Sequence, residues 1–266
     1  EAESLRKQLS CLLGDILLAA GCVAYLGPFN SEYRKRLIED WKKECKGISI
    51  SSDFRLQSIV DPMVIREWIA EGLPSDEFSI ENAILIENSR RWPLMIDPQG
   101  QANKWIKTKE RENGLRIIKT NDPDMSRKIE AAIRVGIPTL IENVGEVLDP
   151  SLEPILLKQT FREGSRLMIK LGDQNIEYNN NFKLYMTAKL PNPHYMPEVC
   201  IKATIVNFTV TKNGLEDQLL ADVVRYERLD LEKQKDTLMT QISDGKSQLK
   251  KAQDKILSLL HQPSET

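Results

Sequence analysis

The stretch PLMIDPQGQANKW, residues 93–105, decides the fold. Pro93 to Asp97 is a short apolar run that reads as a buried strand. A turn with Pro98 and Gly100 follows, and Gln101 to Glu112 reads as a helix. A strand passing through a tight loop into a helix is the opening of a βαβ unit. In such a unit the loop after the strand, at the start of the helix, is where a phosphate would be held.

That loop can be compared with the phosphate-binding pattern GxxxxGK[ST] by aligning Lys104 with its lysine. Pro98 then takes the first glycine position, Asn103 the second, and Trp105 the Ser/Thr position. Proline removes an amide where amides should cradle phosphate. Asn103 puts a Cβ where glycine allows close approach. Trp105 brings no hydroxyl for magnesium and is expected to crowd the pocket. Gly100 and Lys104 remain as candidate contacts of a degenerate site, and the same residues also read as an ordinary surface turn. A second piece is TLIEN, residues 139–143, an apolar strand ending in two polar residues. Glu142 could still reach a metal ion, but Asn143 cannot act as the carboxylate that orients an attacking water.

Moving outward, the chain alternates short apolar runs with amphipathic stretches. Ala83 to Glu87, Leu115 to Lys119, Pro138 to Val144, Lys183 to Ala188 and Ile201 to Val210 read as strands. Pro123 to Val135, with Asn121 or Asp122 as its cap, and Leu152 to Phe161 read as helices. Leu167 to Leu171 and Gln174 to Tyr178 suggest a hairpin about Gly172-Asp173. Strands separated by helices predict a mostly parallel sheet covered on both faces. Residues 4–45 read as helices. Ile16 to Asn30 is expected to be a buried one, and Tyr33, Leu37, Trp41 and Cys45 mark the apolar face of a charged one. A short helix runs from Pro62 to Trp68.

The C-terminal stretch differs. Between Leu215 and Leu260 there is no proline and a single glycine. Val224, Leu231, Leu238, Ala252 and Leu259 share one seven-residue series, and Ile242, Leu249 and Ile256 share its companion. Together they give the spacing of a coiled-coil seam, with Lys235 and Gly245 as weak points. From Glu227 to Leu260 such a helix is about 50 Å long and needs an antiparallel partner, expected beyond residue 266.

Composition narrows the function. The 266 residues carry 37 Lys+Arg against 39 Asp+Glu, a net charge of -2, which leaves no electrostatic footprint for nucleic acid. Aromatics at 6% argue against a base-stacking platform. The longest uncharged run, Ile16 to Asn30, falls short of the roughly 20 apolar residues of a membrane span. No signal-peptide pattern precedes it, and the first residue, Glu1, reads as a cut from a longer chain. Cys11, Cys22, Cys45 and Cys200 are scattered and the histidines are His194 and His261, so no metal site is expected. Unpatterned thiols fit a reducing compartment. Cys200 with His194 is conceivable as a nucleophile pair, and a packed cysteine beside a loop histidine is the simpler reading.

Four long segments resemble one family. GDILLAAGCVAYLGPFNSEYR at 14–34, RWPLMIDPQGQANKWIK at 91–107, LIENVGEVLDPSLEPILLKQ at 140–159 and KLPNPHYMPEV at 189–199 are similar to dynein heavy chains, closest in wording to axonemal inner-arm types. The resemblance covers nearly the whole chain. It implies an AAA+ P-loop NTPase-like α/β fold, with an N-terminal helical segment and a C-terminal coiled-coil helix. Residues 1–56 would be the end of the stalk helix and helices of the fourth module's small subdomain. Residues 57–213 would be the large α/β subdomain of the fifth module, and 214–266 the first arm of the strut.

The resemblance further implies a module that neither binds nor hydrolyses nucleotide, in a parent motor whose other modules use ATP and magnesium. Gly100, Lys104, Glu142 and Asn143 are then remnants of a nucleotide site. Arg162, with Arg166 as alternative, is the candidate arginine lent to a neighbouring module. The implied partners are neighbouring AAA+ modules, the stalk coiled coil and, through the parent motor, microtubules, with no nucleic acid and no membrane. The implied location is the cytoskeleton of the ciliary axoneme. Two other readings are an active P-loop ATPase and a coiled-coil scaffold that uses the α/β body as a platform.

Overall fold

The computed structural model describes residues 2–172 and 174–228, and beyond them only positions 230, 234, 237, 238, 241, 245, 248, 249 and 255. The chain divides into two units, Glu1–Gly214 and Leu215–Thr266.

The first unit opens with two helices, α1 (Ala2–Tyr25) and α2 (Ser31–Glu44). From Ile16 on α1 is apolar all round, yet it is not the buried helix the composition of 16–30 predicts. Gly14, Leu18, Ala19, Cys22 and Leu26 are buried, while Leu13, Ile16, Leu17 and Tyr25 are exposed. Only the stripe at spacings of three and four faces the core. α2 starts where Asn30 accepts the Tyr33 amide at 3.0 Å. Its inner face keeps Leu37, Trp41 and the half-buried Cys45 of the expected series but not Tyr33. Arg34 is buried and Leu37, Ile38 and Trp41 pack on the core, whereas Tyr33 is exposed.

Next come α3 (Pro62–Ala70) and α4 (Glu77–Asn88). The latter corrects the strand expected at Ala83 to Glu87. Asp76 caps it by accepting the Ser79 amide at 2.9 Å. Residues 78–80 and 82–86 are all buried, so the segment has no polar face to reveal its period.

The body is a sheet built from β1 (Pro93–Ile96), β2 (Arg116–Lys119), β3 (Thr139–Glu142), β7 (Leu184–Ala188) and β8 (Thr204–Asn207), with α5 (Gln101–Lys109) and α6 (Met125–Val135) after the first two strands. The order is β2-β3-β7-β1-β8 and every pairing is parallel. Leu94, Met95, Leu140, Ile141, Leu184 and Met186 are wholly buried, as in a sheet covered on both faces. The cap expected for α6 is not Asn121 or Asp122. The helix starts after Asp124, and Asp122 accepts the Asp124 amide at 3.2 Å while pairing with Lys128.

Between β3 and β7 lie the short α7 (Glu153–Leu156) and a three-stranded antiparallel sheet of β4 (Thr160–Glu163), β5 (Arg166–Leu171) and β6 (Gln174–Glu177). The helix expected over 152–161 is therefore cut short. Lys158 takes a left-handed φ of 49°, which ends it and launches β4. The hairpin about Gly172 stands where turn chemistry puts it, with Leu171 opposite Gln174. α8 (Pro197–Lys202) takes the first residues of the run expected as the last strand, leaving β8 to begin at Thr204.

A buried arginine ties the N-terminal helices to this body. Arg34 donates to the carbonyls of Leu26 at 3.0 Å, Phe29 at 3.0 Å and Gly27 at 3.1 Å. It also donates to Asn82 Oδ1 at 2.6 Å, pairs with Glu81 at 3.3 Å and lies 4.3 Å above the Phe78 ring. Asn82 passes the link to the sheet by donating to the Asn207 carbonyl at 2.8 Å. Gly27 lets the backbones meet, because a Cβ there would stand 2.1 Å from the Ile205 carbonyl oxygen. Desolvation lowers the Arg34 pKa to about 10 against the pull of Glu81, so the group is charged at neutral pH.

α9 (Lys212–Glu227) begins the C-terminal helical stretch. The Arg228 amide continues its bonding pattern by donating to the Val224 carbonyl at 2.8 Å. The described positions from 230 on are helical. Of the seam, Leu238 and Leu249 are described and exposed, at 57% and 62%. Leu231, Ile242, Ala252, Ile256 and Leu259 lie outside the described residues.

Arg34→Ala removes the donors from three carbonyls and leaves Glu81 and Asn82 without their partner. We expect a loss of about 3–5 kcal/mol of unfolding free energy in chemical denaturation, the range for breaking a buried ion pair from one side.

Candidate functional site

The C-terminal ends of β1, β7 and β3 lie side by side, with Met95 opposite Thr187 and Ile141 opposite Met186. This is the edge of a parallel sheet where ligands bind in open α/β folds. Four residues, Asp97 to Gly100, join β1 to α5. Gly100 stands at the helix start with φ 77°, a conformation that favours glycine. Sequence comparison places the phosphate-pattern glycine at Asn103, but the helix already begins at Gln101. Asn103 and Lys104 are therefore on its first turn rather than in a loop that could wrap an anion.

The amides at the head of α5 have an occupant. The Asp97 side chain, with its residue 1% exposed, accepts the Gln101 amide on one oxygen and the Asn103 amide on the other, each at 2.8 Å. Burial pushes its pKa above the usual carboxylate value, while the Asn103, Gln101, Gly100 and Ala102 amides pull it down. Both oxygens face N–H donors, which suits the carboxylate form. An internal anion thus sits at the positive end of the helix.

Glu142 is closed off in the same way. Its Oε1 accepts Asn103 Nδ2 at 2.9 Å and Lys107 Nζ at 2.6 Å. Asn103 Nδ2 also reaches Thr187 Oγ1 at 3.3 Å, so one amide bridges the ends of two strands. Burial raises the Glu142 pKa, and bonds from Lys107 and Asn103 with the charges of Lys107 and Lys119 outweigh it, so the carboxyl lies below its ordinary range. Asn143 is exposed in a left-handed conformation, φ 60°, and its carbonyl accepts Thr120 Oγ1 at 3.1 Å.

Trp105 corrects an expectation. It does not crowd a pocket but is fully buried on the inner face of α5. Its ring meets Trp68 edge-on at 6.1 Å and its Nε1 donates to Glu71 at 3.2 Å. Lys104 is exposed and has no ion pair among the described residues. Gly100, Lys104, Glu142 and Asn143 are thus near one sheet edge, but only Glu142 belongs to the hydrogen-bonded network. The members that sequence reasoning passed over are Asp97, Lys107 and Thr187. An acid directly before Pro98 and three residues before Gly100 was the available signal for Asp97. Lys107 lies one turn after Asn103, on the same helical face.

The candidate arginines are elsewhere. Arg162 is exposed on β4 opposite Leu167, and Arg166 on β5 makes a loose exposed pair with Glu177 at 3.9 Å. Arg162 follows α7, which comes after β3, and both arginines lie on the three-stranded antiparallel sheet. His194 and Cys200 share no hydrogen bond among those described; the His194 amide donates to Glu146 at 2.9 Å and the Cys200 carbonyl accepts from Arg91 at 3.1 Å. Among the described residues no group of three or more His, Cys, Asp or Glu could hold a metal, and no helix is long and apolar enough to cross a membrane.

Comparison with known proteins fits this geometry to a family. Residues 66–266 match the family described as the ATP-binding dynein motor region. The chain belongs to that family. It is 54% identical over 264 residues to dynein axonemal heavy chain 6 of Homo sapiens, covering 97% of this chain and 6% of that one. It is 48% identical over 258 residues to dynein axonemal heavy chain 1 of Mus musculus, covering 96% and 6%. Against the dynein-1-beta heavy chain of the flagellar inner arm I1 complex of Chlamydomonas reinhardtii it is 47% identical over 258 residues, covering 95% and 6%. The chain thus spans about 6% of the length of the curated relatives it matches. The axonemal names of these relatives indicate the axoneme of cilia as its setting. The parallel sheet flanked by helices is the α/β fold of an AAA+ module.

Two outcomes follow from the closed edge. Asp97→Ala leaves the amides of Gln101 and Asn103 without an acceptor. It should cost about 1–3 kcal/mol, the range for a lost cap and orphaned buried donors, and should speed hydrogen exchange at those two amides. Glu142 and Glu110 both sit below their ordinary value of 4.5, the latter because Asn113, Tyr185 and Lys183 outweigh its burial. A depressed carboxyl stabilises the fold fully above its unfolded pKa and ceases to as pH falls through the folded one. The contribution of Glu142, read as the difference in unfolding midpoint between the native chain and Glu142→Gln, should therefore hold above pH 4.5 and shrink below it.

Proposed function

We propose that the chain is a non-catalytic AAA+ module of an axonemal dynein motor, the fifth of its ring. It carries ATP-driven rearrangement of the ring to the microtubule-binding stalk. In this reading residues 1–56 are the stalk end with helices of the fourth module's small subdomain, 57–213 the large subdomain of the fifth, and 214–266 the first arm of the strut. ATP and magnesium act in other modules of the parent chain, which meets the microtubule through its stalk.

The observation that carries the non-catalytic part is the Asp97 carboxylate on the α5 amides. A phosphate brought there would meet an anion already bonded to the donors it needs. Glu142, the remaining acid for a magnesium ion, is already held by Lys107 and Asn103. The mechanical part draws on the Arg34 clamp. It fastens the helices before residue 56 to the sheet by buried bonds, so a displacement of one carries the other.

Two measurements test this reading. In the full heavy chain, Lys104→Ala should leave the number of bound nucleotides and the ATPase rate unchanged; loss of one bound nucleotide per chain on that substitution contradicts it. Leu238→Asp with Leu249→Asp should break the strut seam and uncouple ATP binding from microtubule release. Normal ATP-dependent release in that variant refutes the strut assignment.

A further inference from the structure

At the end of the sheet away from Asp97, four cations converge from three connections. Arg90 and Arg91 lie between α4 and β1, Lys158 between α7 and β4, and Lys202 ends α8. With Leu157 and Ile201 they border a cleft of about 430 Å³. Lys202 pairs with Glu153 at 2.9 Å. The other three have no carboxylate partner among the described residues. Lys158 Nζ donates to the Arg90 carbonyl at 2.7 Å and stands 4.1 Å from the centre of the Trp92 ring. Arg91 donates to the Cys200 carbonyl at 3.1 Å. A carbonyl orients a cation but does not cancel its charge. Desolvation first, and the nearby Arg90 second, lower the Lys158 pKa, so these charges repel one another. The chain also holds Lys158 at φ 49°, a conformation that a side chain disfavours.

Between the cations the surface is apolar and open. Leu157 is 39% exposed and Ile201 65%. Arg90 and Arg91 also border a second cleft of about 720 Å³ along the outer face of α1, beside Ile16, Val23 and Tyr25. A small anion such as phosphate asks for donors focused on one point, as backbone amides provide at a helix start. Here the donors are spread around aliphatic side chains. That pattern matches carboxylates set at intervals along a peptide, with aliphatic residues between them.

We propose that this cleft, bounded by Arg90, Arg91, Lys158 and Lys202, is the docking site of an acidic protein segment in which carboxylates alternate with aliphatic side chains. The partner's carboxylates neutralise Arg90, Arg91 and Lys158, and its aliphatic groups cover Leu157 and Ile201. This site is independent of whether the loop after β1 binds nucleotide.

The probe is a fluorescein-labelled synthetic peptide of alternating Glu and Leu, read by fluorescence anisotropy on the intact chain. A control peptide has every Glu replaced by Gln. The Glu peptide should bind about tenfold tighter or better than the control, as charge-assisted contacts require, and weaken as salt rises. Arg90→Ser with Arg91→Ser should weaken it by about tenfold or more. Lys158→Gly should weaken it too, while the unfolding midpoint stays or rises, because glycine adopts that φ freely. Equal binding of the two peptides, or binding indifferent to these substitutions, overturns the proposal. So does displacement of the peptide by inorganic phosphate at comparable concentration, which would mark a phosphate site instead.

Discussion

The rest of the sheet edge depends on one buried carboxylate. A helix start presents several amide donors that its own backbone cannot satisfy, and burying them without an acceptor is costly. Nucleotide-binding α/β proteins leave those donors to a phosphate. In this chain Asp97 supplies the acceptor from the strand that feeds the helix. The consequence spreads outward. With the donors filled, the helix can begin at Gln101, directly after the turn. Asn103 is then on the first turn, where its side chain bridges Glu142 and Thr187. Glu142 and the amides of Gln101 and Asn103 are committed to the protein itself, while Lys104 and Asn143 are exposed.

The same logic governs the N-terminal helices. A fully buried guanidinium has to find acceptors for its donors, and Arg34 finds them in three backbone carbonyls and two side chains of α4. Those carbonyls belong to the turn after α1, which Gly27 presses against β8. Such a joint resists sliding, because any shift strands a buried charge. Hydrophobic contacts alone would tolerate repacking.

The sequence made the periodic and punctuated parts legible. The strands at 93, 116, 139 and 184 and the helix after Gly100 follow from apolar runs and turn residues, and the helix after Asp124 follows from its apolar period though not from the caps expected for it. The hairpin about Gly172 follows from its turn. α4 was hidden because burial on every side erased the period that distinguishes helix from strand. The helix expected at 152–161 failed because Lys158, which has no glycine-like signature, takes a left-handed φ. The site was legible only in outline. Glu142 could be named from its strand, but the amide that holds it is 39 residues away in sequence and that amide's second acceptor is 84 away. Arg34 illustrates the same limit, since a charged residue on an amphipathic helix reads as solvent-facing until its distant partners are known.

The two ends of β1 differ in one electrostatic respect. At its C-terminal end the acids Asp97 and Glu142 are matched by amides and by Lys107. At its N-terminal end Lys158 is held by the Arg90 carbonyl and the Trp92 ring and Arg91 by the Cys200 carbonyl, which orient these cations and leave their charge intact. Satisfying the donors and acids at the C-terminal edge needs only internal partners. Keeping Arg90, Arg91 and Lys158 near one another with no carboxylate partner among the described residues is different, because it works against repulsion and, at Lys158, against backbone preference. A fold bears such a cost where something outside it supplies the missing charge, and this locates the outward-facing chemistry of the module at the foot of the sheet.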